Sequence, residues 1–300
     1  MDPAHIPPPP NSGIAHLLLP HARDLGDGFV VARMIPQIER RTVGPFVFLD
    51  QFGPVTFPPG KIADVRPHPH IGLATVTYLY EGEIMHRDTV GSTQAIRPGE
   101  VNWMTAGRGI AHSERTPVEL RNTERTQFGL QFWVGLPTAR EEIEPAFAHH
   151  GADELPAITA PGARIKLVIG SLLGKRSPVV TQSETLLADI ELEPGARFTV
   201  PAEHAERGVQ VTVGAIEIAG HRFEAPKLLV LEPGQEVTIT ASGKARCALF
   251  GGDPLDGPRY LWWNFVSSSK ERIERAKVDW KEGRFGTIAG ETEFIPLPES

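Results

Sequence analysis

Short runs in which apolar and polar positions alternate, punctuated by glycine and proline, fill most of the chain. The clearest are "ATVTYLY" (74–80), "FGLQFWVGL" (128–136), "RIKLVIG" (164–170), "TLLADIEL" (185–192) and "VQVTVGAIEIAG" (209–220). Each is rich in β-branched and aromatic residues, and a period of two puts alternate side chains on one face, so each predicts a strand. With 30 Gly and 28 Pro among 300 residues, the turns come too often for helices to alternate with strands, and the pattern predicts a β-sandwich or barrel. One segment departs from it. In "SSSKERIERAKVDWKEG" (267–283), Ser268 stands three residues before Glu271 as a capping box, Ile273, Ala276 and Trp280 recur at helical spacing, and Gly283 supplies a stop. This predicts one amphipathic α-helix at about 268–282, laid on a sheet. At the other end Pro7 to Pro10 favour polyproline II, so residues 1–13 are expected to be a disordered tail.

The pattern also repeats. Residues 81–101 and 214–237 both read as a turn, a short strand and then a Pro-Gly turn feeding another strand, which predicts two domains of one plan. The Pro-, Gly- and Ala-rich stretch 146–163 is the expected linker, giving domains at 14–145 and 164–300, the second carrying the helix.

Composition narrows the function classes. A net charge of −7 with dispersed basic residues offers no footprint for direct nucleic-acid binding. No apolar run is long enough for a membrane span, and the start lacks the pattern of a signal peptide, so a cytoplasmic protein is expected. The single cysteine, Cys247, excludes an internal disulfide and lies in an apolar run as a buried thiol.

Candidate chemistry sits in two places. In "RPHPHIG" His68 and His70 share one face of an extended chain, with Pro69 turned away. In "MTAGRGIAHSER" His112 and Glu114 do the same after a flexible turn. If the two strands pair, three imidazoles and a carboxylate converge. That is a metal's ligand set, because neutral imidazoles clustered in an apolar barrel otherwise lack hydrogen-bond partners. Fe(II), Mn(II), Ni(II), Cu(II) and Zn(II) all suit these donors, and the absence of thiolates argues against structural zinc. Four protein ligands leave two positions open on an octahedral ion. Phe46, Phe48, Phe52, Met104, Phe128, Phe132 and Trp133 are available as apolar lining. His86 reads as an isolated histidine of the fold or the pocket wall.

"RRTVGPFVFLDQFGP" (40–54), "HPHIGLATVTYLYEGEIMHRD" (68–88), "PGEVNWMTAGRGIAHSE" (98–114) and "LWWNFVSSSKERIERAKVDW" (261–280) resemble the pirin family of the cupin superfamily. The resemblance implies an all-β fold of two cupin domains (double-stranded β-helix, or jelly-roll) packed face to face, with a C-terminal helix and with metal only in the first. It implies one non-haem iron, Fe(II), held by His68, His70, His112 and Glu114. Thr75 stands near where many cupins carry a glutamate ligand, a role that Glu114 takes in this pattern.

Several pirins resemble quercetin 2,3-dioxygenases, which open the flavonol heterocycle with O2 and release carbon monoxide. The resemblance therefore implies a metal-dependent dioxygenase acting on a flavonol or similar enolic substrate, with Glu114 both ligand and acceptor of the substrate's hydroxyl proton. Its alternative is a redox-sensing iron protein that regulates a transcription factor or a metabolic enzyme through protein contact. A monomer is the family expectation.

Overall fold

The computed structural model of the protein describes residues 7–24, 29–62 and 64–298. The strands fall where alternation placed them: 74–80 lies within Leu73–Glu81, 128–136 largely within Arg125–Gly135, 164–170 within Ala163–Ile169 but for its last residue, and 185–192 coincides with Thr185–Leu192. The run 209–220 is two strands, Glu206–Val213 and Ala215–Ile218, turned at Gly214. The α-helix is Lys270–Lys281, and it buries Ile273, Ala276 and Trp280. Its N-cap is Ser269, not Ser268: the Ser269 hydroxyl accepts from the Arg272 amide. Ser268 is taken up elsewhere, donating its amide and hydroxyl to Glu141.

The chain forms two compact units, which are not consecutive in sequence. One contains the described residues through Arg23, then Ala32–Gln51 and Asp153–Pro254; the other contains Asp24–Val31, Phe52–Ala152 and Leu255–Ser300. Both are antiparallel β-structures of one plan, in which a four-stranded sheet accompanies a larger one. In the unit carrying the histidines the small sheet runs Val65–His70, Ile110–Arg115, Ile84–Asp88, Thr93–Ile96. In the other it runs Arg197–Val200, Val237–Ala241, Ala215–Ile218, His221–Glu224, the same succession in the same order. The two domains are therefore cupins, as the repeat and the resemblance implied.

Three boundary expectations differ. The strand Ile14–Leu18 pairs with Lys227–Leu231, so the N-terminal segment completes the second cupin, and residues 255–300 belong with the first. Residues 146–163 are no linker: Ala146–His150 pairs with Val101–Thr105, and Ala157–Ala160 with Ala163–Ile169. Each covers a sheet edge that would otherwise present unpaired amides. Of the expected tail, residues 1–6 lie outside the described residues, while Ser12 is buried, its hydroxyl donating to the Pro9 carbonyl at 2.6 Å. The repeat also aligns differently from the sequence echo. Pro98-Gly99 leads into Val101–Thr105 of the larger sheet, whereas Pro233-Gly234 leads into Val237–Ala241 of the small one, so the two turns are not equivalent.

Candidate metal centre

The strand Val65–His70 forms the edge of the small sheet, and Ile110–Arg115 pairs with it so that His112 stands opposite His68 and Ile110 opposite His70. Position at the edge is what permits Pro67 and Pro69, which have no amide to donate. The Pro67 carbonyl accepts from Ile295 of the C-terminal segment at 2.8 Å. Two glycines shape the strand ends. Gly72 (φ +67°) follows the histidines and donates to the carbonyl of Gly107 (φ +51°) at 2.9 Å. A Cβ at Gly107 would lie 2.0 Å from the Ile143 carbonyl oxygen, and one at Gly72 2.0 Å from that of Val266, so neither place admits a side chain.

His68, His70 and His112 are all buried, and their ligand nitrogens lie within 4.8 Å of one another. His70 Nε2 is 3.2 Å from His112 Nε2. Two nitrogens bonded at right angles to one ion at about 2.1 Å would be about 3.0 Å apart, so the spacing fits neighbouring ligand positions.

The opposite nitrogens are engaged. His68 Nδ1 lies 2.8 Å from the Arg66 carbonyl, His70 Nδ1 3.2 Å from the Asn264 carbonyl, and His112 Nδ1 3.3 Å from His86 Nδ1. A carbonyl only accepts, so Nδ1 of His68 and His70 carries the proton and Nε2 keeps its lone pair. Burial drives the His68 imidazole down to about 4, and burial together with the neighbouring rings holds His70 and His112 well below 6.5. All three are neutral at pH 7, the form that binds a metal.

Glu114 does not join the histidine group. It is half-buried, and its Oε1 accepts from the Thr77 hydroxyl at 3.1 Å, while that hydroxyl also lies 3.0 Å from the Gln131 carboxamide. Burial raises the Glu114 carboxyl above its ordinary value, opposed by the neighbouring His86 and by the Thr77 bond. Trp133, from the lining expected, meets the His70 ring edge-on with centroids 5.1 Å apart. Phe46 and Phe48 belong to the other unit, where Phe46 packs against Phe250 and Arg33 lies over the Phe48 ring. Phe52 packs with Val31, Leu79 and Ile96 in a cluster of its own.

His86 is more than an isolated histidine. It is buried, stacked on Phe147 at 4.4 Å, and its Nε2 lies 2.9 Å from Asp88 Oδ2. The signal available in the sequence was the i, i+2 spacing of His86 and Asp88, which puts both on one face. Burial would raise the Asp88 carboxyl, but bonds from His86 and Ser92 outweigh it and hold it below the ordinary range. Asn264 gave no sequence signal, because it serves through its carbonyl. Trp262, Trp263 and Phe265 pack with Ile71, Ala111 and the helix inside the unit that holds the site.

In the second cupin the matching places hold apolar side chains. Strand order and register match His68, His70, His112 and Glu114 to Phe198, Val200, Ile239 and Ala241, all buried in its apolar core. His204 lies beyond the equivalent strand, Arg197–Val200, with its Nε2 2.9 Å from the Ser171 carbonyl.

Residues 28–134 match the family described as Pirin, and residues 187–286 the Pirin C-terminal cupin domain. A pirin-like protein of Caulobacter vibrioides is 50% identical over 281 residues, covering 92% of this chain and 96% of that protein. Human pirin is 32% identical, covering 87% and 89% respectively. The crystal structure of a quercetin 2,3-dioxygenase from Acinetobacter baumannii superposes with a TM-score of 0.89 at 34% identity, covering 95% of each chain. The chain belongs to the pirin family.

Proposed function

We propose that the protein is a metal-dependent dioxygenase of the quercetin 2,3-dioxygenase type, opening a flavonol or similar enolic substrate with O2. Its site takes one divalent transition metal, Fe(II) first among them, through His68, His70, His112 and Glu114. One observation carries the reading: three buried histidines bring ligand nitrogens within 4.8 Å of one another while the Nδ1 of each is engaged. Neutral imidazoles that turn their lone pairs toward one another leave them unbonded, whereas a metal uses all of them. Likeness to the Acinetobacter quercetin 2,3-dioxygenase supports the substrate class.

Bound there, the metal would supply a Lewis acid for an ionised substrate hydroxyl and a template on which that substrate meets dioxygen. The chain's own groups do the rest. Thr77 holds one carboxylate oxygen of Glu114, Oε1, and leaves Oε2 outside that bond. A carboxylate whose proton affinity is raised by burial is suited to take the flavonol hydroxyl proton. Trp133, whose ring meets His70 edge-on, puts an aromatic side chain beside the centre, in keeping with an aromatic substrate.

Glu114→Gln keeps the bond from Thr77 and removes the base. With metal-loaded protein and quercetin under air, followed by flavonol absorbance and carbon monoxide release, kcat should fall about 100-fold or more. Turnover by Glu114→Gln at the wild-type rate would overturn the base assignment, and no turnover by metal-loaded wild type would overturn the substrate class.

A further inference from the structure

We propose that His86 and Asp88 are positioning residues, a two-residue relay that fixes the tautomer and orientation in which His112 presents Nε2 to a metal. The inference rests on the reading of His68, His70 and His112 as a metal site.

The argument follows the protons. On the metal-site reading His112 offers the lone pair of Nε2, the nitrogen 3.2 Å from His70 Nε2, so its proton belongs on Nδ1. For His68 and His70 the matching proton goes to a backbone carbonyl, which can only accept. For His112 the partner is another imidazole nitrogen, His86 Nδ1 at 3.3 Å, which can donate or accept. That ambiguity has to be settled elsewhere.

Asp88 settles it. Its Oδ2 lies 2.9 Å from His86 Nε2, and its Oδ1 accepts from the amides of Val90 at 3.0 Å and Ser92 at 2.9 Å. An ionised carboxylate only accepts, so the His86 proton sits on Nε2, His86 Nδ1 presents a lone pair, and His112 Nδ1–H donates to it. With His86 a neutral imidazole, this one proton arrangement satisfies the whole chain from Asp88 to His112. Asp88 and His86 are 2% and 3% exposed, leaving little for water to substitute. Register supports the placement, since Ile84–Asp88 pairs with Ile110–Arg115 with Asp88 opposite His112, and Phe147 stacks on the His86 ring and fixes its plane.

The test uses cobalt(II) as the probe and measures its affinity for the full-length protein by competition with a chromophoric chelator. The cobalt visible spectrum and the melting temperature of the metal-stripped protein are recorded alongside. Asp88→Asn keeps an oxygen for the turn amides but turns an NH2 toward His86. The His86 proton is forced to Nδ1, and two N–H groups then face each other. Affinity should fall about 10- to 100-fold, with a changed cobalt spectrum. His86→Phe keeps a ring against Phe147 but removes the acceptor, and should lose as much. His86→Asn restores a carbonyl oxygen where Nδ1 stood and should recover most of the affinity. Asp88→Asn and His86→Phe binding cobalt within twofold of wild type would overturn the relay. So would equal losses in all three variants that track the metal-free melting temperature, which would mark a packing role. Failure of the wild type to bind cobalt would overturn the metal site itself, and the relay with it.

Discussion

Lowering the pH should destabilise the metal-stripped protein through the histidines of the centre, and His68 allows the size to be worked out. Folding takes its imidazole out of water and holds it at about 4, against 6.5 in an unfolded chain. Below pH 6.5 the unfolded chain takes up a proton that the folded chain refuses, so stability falls from about pH 6.5 and the loss is complete near pH 4. At about 1.4 kcal/mol for each pH unit between the two values, His68 alone costs roughly 3 kcal/mol at the acid end, most of it already felt at pH 5. His70 and His112 act in the same direction. The assay is urea unfolding of the metal-stripped wild type and of His68→Asn, which can still donate to the Arg66 carbonyl, at pH 7.5, 6 and 5. Carboxylate contributions common to both cancel in the difference, and the wild type should lose about 2 kcal/mol more than the variant between pH 7.5 and 5. Parallel curves would show that folding leaves the His68 imidazole unperturbed and would refute the reasoning.

Two further perturbations probe the frame around the centre. Gly107→Ala places a Cβ 2.0 Å from the Ile143 carbonyl at φ +51°, and should cost about 2 kcal/mol or more in urea unfolding while weakening metal binding through the Gly72 turn bonded to it. Glu141→Ala takes from Arg259, 4% exposed, the carboxylate paired with it at 2.6 Å, leaving it Asp256 and the Leu136 carbonyl, and also removes the acceptor for Ser268 at the entry to the helix. A loss of about 3–5 kcal/mol is expected, and a smaller one for Glu141→Gln.

Much of this was legible in the sequence where the information is local. Alternation at 74–80 and 185–192 marks strands because the same side chains that favour extended backbone also line a core face, and Ile273, Ala276 and Trp280 mark the helix by its own period. The histidines were legible because i, i+2 spacing on a strand fixes a shared face without knowledge of the partner. Partners were not legible. Nothing in 14–18 announces pairing with 228–231, more than two hundred residues away, so the interleaving of the two units stayed hidden. The N-cap was misplaced by one residue because three serines in a row are locally equivalent, and a distant carboxylate, Glu141, claims Ser268. His86 was passed over because its meaning lies in the ring across the sheet. The silent second cupin could be suspected from its missing His-x-His, but only register shows that Phe198, Val200, Ile239 and Ala241 stand in the four places.

The central claim is tested most directly by metal analysis of wild type beside His70→Ala, both purified without chelator, with oxygen uptake measured on adding quercetin under air. The account predicts close to one transition metal per chain in the wild type, loss of that metal in His70→Ala, and oxygen consumption that follows the metal. Wild-type protein free of transition metal, or oxygen uptake undiminished in His70→Ala, would contradict it.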